Sequence, residues 1–435
     1  MGYRYNFKKN KIEKIGLLYI KMQQNDLHVY INGNIYKHKT QKYPFVPKFL
    51  LSNIEYPNEI KMPLLPEKYE IRISKEGYYD WENNIIIKPN LTTFLPHIIL
   101  FKNNVPLMLS NGDITDANLF DNNNVSFLKD EIATTTLKNF NLYDFSDNKI
   151  YESLEKIEYI PSANNKNFLI KEGDKYLIID SEYKENKIQL SAILESKLIN
   201  VKWDAENDYK LHAIEEKSGI LFEINFISKK RIPLTITKCH DYIVLDNTIL
   251  TIENNDKYPQ IILKLIKGED KKIIETLPYS NDILFLKNDL NYILVKDNAA
   301  DILYILDPFA DNISKVKSSI HGIKKFDVNS YKDKILYAND FEIWMYDLKE
   351  DKKSLITRIS SPIKNILWHK NENYIIFSTS TNINIIEISD FSNNNYINFI
   401  SATDIDEILL DEKGKNLYFT GDIGSQRGLF ELVLY

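Results

Sequence analysis

The sequence predicts an all-β protein: a small β-sandwich over residues 1–103, then a β-propeller over residues 104–435, with eight blades favoured and seven the alternative. Three observations carry that expectation. Apolar stretches are of strand length and are separated by turn residues at short intervals. Eight apolar stretches that stop just before a polar turn end at Phe120, Pro161, Trp203, Leu245, Leu286, Val328, Trp368 and Leu410, separated by 41, 42, 42, 41, 42, 40 and 42 residues. The chain also stops at Tyr435 on what this register makes a third strand, leaving the last blade one strand short.

Between Lys11 and Lys102 the strand-length runs are LLYIKM, LHVYINGN, YEIRISKEGYYDW, NNIIIKPN and LPHIILF. Val29 and Ile31 lead into Asn32-Gly33, a pair that tolerates the positive φ angles of a two-residue hairpin. Tyr69, Ile71 and Ile73 alternate with Glu70, Arg72 and Ser74, which puts the apolar set on one buried face of a sandwich strand. Gly77 is expected at positive φ in a turn, and Trp81 with Tyr78 is expected to pack the sandwich core rather than stack on a sugar.

Within the repeat, the unit around Trp368 shows a first strand ending at that residue, a polar turn, a second strand from Tyr374 to Phe377 and a third from Ile383 to Ile388. Equivalent third strands begin near Tyr176, Leu221, Ile261, Leu303 and Ile343. Four strands in such a length make one propeller blade. VPLML, Val105 to Leu109, precedes the first full unit and is the natural donor of the strand that the last blade lacks. The unit from Asp116 to Lys156 reads as irregular, and a seven-bladed count would drop it.

Composition narrows the function. A chain of 435 residues exceeds the size at which single cores stop growing, so at least two domains are expected. The net charge of −6 is interleaved along the chain with no basic stripe, which argues against nucleic acid as a partner. The single cysteine, Cys239, excludes an intramolecular disulfide and a cysteine metal cage. No run of 18 apolar residues occurs.

No residue set points to catalysis. His28, His38, His97, His212, His240, His321 and His369 form no pair at metal-ligand spacing and read as surface or packed histidines. Asp204, Glu206 and Asp208 alternate like the start of a calcium loop, but the glycine and distal glutamate of such a loop are missing, so a solvated hairpin is expected. The stretch from Gly421 to Gly428 lies between two strands rather than before a helix, and so reads as a blade hairpin rather than a phosphate loop. No Gly-x-Ser-x-Gly elbow is present. No catalytic, cofactor-binding or metal-ligating residue and no cofactor is assigned.

The stretch VYINGN followed by LLPEKYEIRISKEGYYDWENNIIIKP resembles the PEGA domain, a small β-sandwich of bacterial surface-layer and envelope proteins. The matching residues are the Asn32-Gly33 hairpin, the Pro66-Glu67 turn before Tyr69, and Gly77-Tyr78 followed by Trp81; the name-giving tetrapeptide reads Pro66-Glu67-Lys68-Tyr69 here. The repeat region resembles TolB-like and WD-repeat-like propellers in blade architecture, without a Trp-Asp dipeptide ending its third strands. In such proteins a membrane helix usually precedes the segment that corresponds to GYRYNFKKNKIEKIG, and this sequence contains no such helix. The resemblance implies an extracytoplasmic, membrane-anchored adaptor or scaffold of the bacterial cell envelope or cell surface. Its propeller would present a protein- or glycan-binding face on a sandwich spacer, with an envelope protein or cell-surface glycan as partner. A propeller-type glycan hydrolase or lyase is the alternative, and a self-associating structural surface protein a further one.

Overall fold

The computed structural model describes residues 2–7, 10–22, 24–36, 59–120, 123–194, 196–205, 207–235, 238–245, 248–255, 257–258, 260–267, 270–286, 290–388 and 395–435. Among them the regular structure is β-strand apart from one helical turn, Ser191–Leu194.

Two sheets make the sandwich. Gly16–Met22 pairs antiparallel with Glu59–Leu64 and parallel with Thr92–Ile98, while Asn34–Ile35, His28–Ile31, Lys68–Ser74 and Trp81–Ile86 form the second sheet. Leu18, Ile20 and Met62 from the first and Ile71, Ile73, Trp81 and Ile85 from the second share one core. The alternation that the sequence shows is realised, since Tyr69, Ile71 and Ile73 are buried and Glu70 is exposed. Asn32 (φ 45°) and Gly33 (φ 77°) turn the hairpin, and Gly77 (φ 78°) takes the conformation that a side chain disfavours. Glu59–Leu64 is a strand the sequence reading does not anticipate, because Pro63 interrupts the run; an edge position tolerates the missing N–H.

Among the described residues eight four-stranded sheets follow, at 113–153, 157–189, 198–233, 241–278, 283–321, 325–358, 365–401 and 404–433, the last completed by Leu107–Asn111. Each of the eight marker residues, from Phe120 to Leu410, is the last residue of its sheet's first strand. The first sheet is complete; a bulge between Thr115 and Asn118 gives its first strand the irregular look it has in sequence. Leu107–Asn111, two residues further along than the expected donor Val105 to Leu109, lies beside Gln426–Val433 and covers the edge of that strand.

The strands gather into two compact units. One joins residues 1–109 to 363–435 and holds the sandwich with the seventh and eighth sheets; the other, 110–362, holds the first six. The reason lies in a three-residue alternation. Leu100 points into the sandwich core, while its neighbours Ile99 and Phe101 enter the core of the seventh and eighth sheets. The residues just before the expected boundary at 103 thus belong to both cores, and no loose linker separates the sandwich from these two sheets.

Candidate interaction site

The sheets are tied together through polar side chains on or near their first strands, and the ties recur at the repeat length. In the second unit the Tyr159 hydroxyl donates to the Asp116 carbonyl, Trp203 Nε1 to the Ile160 carbonyl, and the Tyr242 hydroxyl to the carbonyls of Asn200 and His212. Lys202 Nζ donates to Asp241 Oδ1 at 2.6 Å and to the Tyr242 carbonyl at 2.8 Å, and the other Asp241 oxygen accepts the Phe285 N–H at 2.7 Å. Asp241 is buried, so this carboxylate links three successive sheets without an unpaired charge. These partners stand 39 to 44 residues apart, apart from Tyr242–His212, which spans 30.

In the first unit the first strands of the seventh and eighth sheets gather a charge network. Lys364 Nζ lies 2.9 Å from Asp404 and 3.7 Å from Asp406, and Arg427 bridges Asp406 at 2.9 Å and Asp422 at 3.2 Å. The hydrogen bond from Lys364 holds the Asp404 carboxyl below the usual carboxylate range. A general acid for glycoside cleavage needs the opposite displacement. The carboxyls that burial pushes upward are Glu387 and Glu431, which serve as structural acceptors: Glu431 accepts the Tyr418 hydroxyl, and Glu387 accepts Trp81 Nε1 at 2.8 Å and Asn395 Nδ2 at 2.6 Å.

The Glu387 contact joins the sandwich to the seventh sheet, and burial outweighs its two hydrogen bonds in setting its proton affinity. A carboxyl raised in the folded state binds its proton more tightly there than in the unfolded chain. Its contribution is therefore full below the unfolded value of about 4.3 and is lost as pH rises through the folded value. Glu387→Gln keeps an oxygen for Trp81 and Asn395 and removes the charge. Calorimetry is expected to show the variant more stable than the parent at pH 7, with the gap closing toward pH 4. A gap that does not vary with pH would count against the buried carboxylate.

The residues singled out in sequence lie apart. His212 and His369 are buried on different sheets, and burial lowers the proton affinity of both. Gly414 accepts from His369 Nε2 at 2.8 Å, and Nδ1 lies 3.1 Å from Asn371 Oδ1 and 3.3 Å from the Asn371 N–H, so this ring is held as a packing element. His28, His240 and His321 are exposed; His38 and the His97 side chain lie outside the described residues. Asp208 accepts the Asn164 N–H, Asp204 lies 3.8 Å from His212, and Glu206 lies outside the described residues. Among the described residues no group of acidic, histidine or cysteine side chains could hold a metal ion. Burial pushes the Cys239 thiol up to about 12, which makes it inert. Gly421 and Gly428 pair across a tight hairpin between two strands. A cleft of about 300 Å³ beside the 307–317 turn is polar, and its Lys315 ammonium is already held by the Ala310 and Asn312 carbonyls.

Sequence reasoning missed Glu387, Asp241 and the Lys364–Arg427 network. One signal was present, since Lys202 and Asp241, like Lys364 and Asp404, are charged residues of opposite sign one repeat apart.

No protein-family model matches the chain, and no curated protein matches it. Solved structures do. A eukaryotic initiation factor overlays with a TM-score of 0.51 at 11% identity, over 74% of this chain and 90% of that one. Saccharomyces cerevisiae Sqt1 gives 0.49 at 7% identity over 77% and 99%, and the β-propeller domain of Myceliophteria thermophila Cps50 (Swd1) gives 0.43 at 11% over 66% and 100%. The likeness is one of fold: with the succession of four-stranded sheets, it makes the chain an all-β protein with a β-propeller.

Proposed function

We propose that this protein is a non-catalytic scaffold or adaptor of the cell envelope or cell surface, in which the propeller presents a protein- or glycan-binding face and the sandwich is a spacer. One observation carries the scaffold reading. The charged groups on and beside the first strands, Lys202, Asp241, Lys364, Asp404, Asp406 and Arg427, are engaged with partners of opposite charge. They stiffen the sheets instead of forming two carboxyls of divided proton affinity. The envelope setting rests on the resemblance of the sandwich to the PEGA domain. Surface turns on a stiff repeat frame are where binding specificity is usually built.

The full chain is the right bait, because residues 99 to 101 belong to both cores. Immobilised on beads, it is expected to retain a defined protein or glycan from the native organism's envelope fraction and nothing specific from the cytosolic fraction. Retention from the cytosol alone would remove the envelope setting. Turnover of envelope glycans by the purified chain would replace the scaffold with the hydrolase or lyase, and growth of large particles with concentration would favour self-assembly.

A further inference from the structure

The chain opens with a two-stranded hairpin, Tyr3–Asn6 paired to Lys11–Lys14, that forms its own sheet. Two strands alone are marginal in water and ordinarily lay an apolar face on something else. Here that face is open. Tyr3 is 57%, Tyr5 43%, Phe7 87% and Ile12 69% exposed, Tyr5 stands directly across from Ile12, and the Tyr5 and Phe7 rings meet edge-on at 4.9 Å. The Ile15 N–H to Gly2 carbonyl bond closes the base of the hairpin, and the Asn90 N–H to Ile15 carbonyl bond hooks that base to the sandwich, while the apolar face stays exposed.

Its charge is opposite to that of the rest of the chain. Residues 1–14 carry Arg4, Lys8, Lys9, Lys11 and Lys14 against the one acid Glu13, within a chain of net charge −6. Lys8 and Lys9 lie outside the described residues; Arg4, Lys11 and Lys14 are described and exposed. Glu13 is held within the hairpin by Asn6 Nδ2 and lies 4.0 Å from Lys11. Exposed aromatic and aliphatic side chains set among basic ones match a surface that is anionic at its rim and apolar just beneath.

We propose that this hairpin is an interfacial anchor that adsorbs to an anionic lipid bilayer, with Tyr3, Tyr5, Phe7 and Ile12 entering the headgroup layer and Arg4, Lys11 and Lys14 contacting the lipid phosphates. A nucleic acid or another polyanion would use the cations but gives Phe7 and Ile12 no apolar layer to enter. The inference rests on this hairpin alone, so its failure leaves the scaffold reading standing, and the reverse.

Vesicle flotation with the full chain tests it. Binding is expected to phosphatidylcholine vesicles that contain phosphatidylglycerol, to be weak on phosphatidylcholine alone, and to fall with added salt. Lys11→Gln with Lys14→Gln should lower the partition coefficient about 25-fold, at about five-fold per cation. Tyr5→Ser with Phe7→Ser should lower it on the order of ten-fold. All four side chains are exposed, so the melting temperature is expected to stay unchanged and to report that the variants fold. Absence of flotation on the anionic vesicles overturns the proposal, as does binding indifferent to both pairs. Heparin retention as strong as vesicle binding and insensitive to Phe7→Ser would assign the face to polyanions, and a dimer lost in Tyr5→Ser would assign it to a second copy; either overturns the lipid reading.

Discussion

Phe101→Ala is expected to destabilise the unit that holds the sandwich and the last two sheets by about 3–5 kcal/mol, the range for emptying an aromatic site in a close-packed core. Phe101 is fully buried, with its ring at 5.1 Å from Tyr374 and 6.1 Å from both Phe399 and His369, edge to face. Its carbonyl accepts the Tyr79 N–H, and the next residue, Lys102, donates to the Leu434 carbonyl, so the backbone cannot easily collapse into the void. Urea unfolding followed by tryptophan fluorescence measures the effect. Trp81 and Trp368 report on this unit, and Trp203 and Trp344 on the other, so single-tryptophan versions separate the transitions. Leu100→Ala, which opens the sandwich core one residue away, is expected to cost about 2–5 kcal/mol at the same reporters. A loss below about 1 kcal/mol for Phe101→Ala would mean that sandwich and sheets are merely adjacent.

Most of the strand architecture was legible because it depends on local periodicity and on repetition. Tyr69, Ile71 and Ile73 announce a half-buried strand by alternation alone, and the marker residues from Phe120 to Leu410 fall on strand ends because each sheet repeats the same strand and turn lengths. The strand that completes the eighth sheet was legible in part: Val105 to Leu109 was the expected donor, and the strand formed is Leu107–Asn111. The remainder depends on pairings that no local pattern records. LPHIILF reads as one strand, and nothing in it says that Leu100 will face one core while Ile99 and Phe101 face another. Trp81 was legible as a core residue, but its bond to Glu387 spans 306 residues. The sequence likewise shows a basic, aromatic opening segment, while its folding as a separate hairpin with an open face is a fact of tertiary structure.

Gly421→Ala is the second change expected to have a large effect, and it tests the frame under the Lys364–Arg427 network. Gly421 lies in Asn416–Ile423 with φ 151°, paired to Ile405 on one side and Gly428 on the other. A Cβ there would stand 2.2 Å from the Asp404 carbonyl oxygen and 3.0 Å from Ile405 Cα, both backbone atoms that no rotamer change can move. Strain at this φ and the displaced strand together are expected to cost about 2–5 kcal/mol. Because Asp404 and Asp406 ride on the displaced strand, their bridges to Lys364 and Arg427 should loosen, and the proton affinity of Asp404, now held down by Lys364, should rise toward its ordinary value. Gly424→Ala is the control: its φ is also positive, at 61°, but nothing lies within 4 Å of an added Cβ, so only the backbone preference of about 1 kcal/mol is at stake. Thermal unfolding of the two variants, with carbon-detected titration of Asp404, separates the causes. A Gly421 variant no worse than the Gly424 variant would mean that the eighth sheet yields at its first strand, and that the charge network rather than the glycine sets the strand spacing.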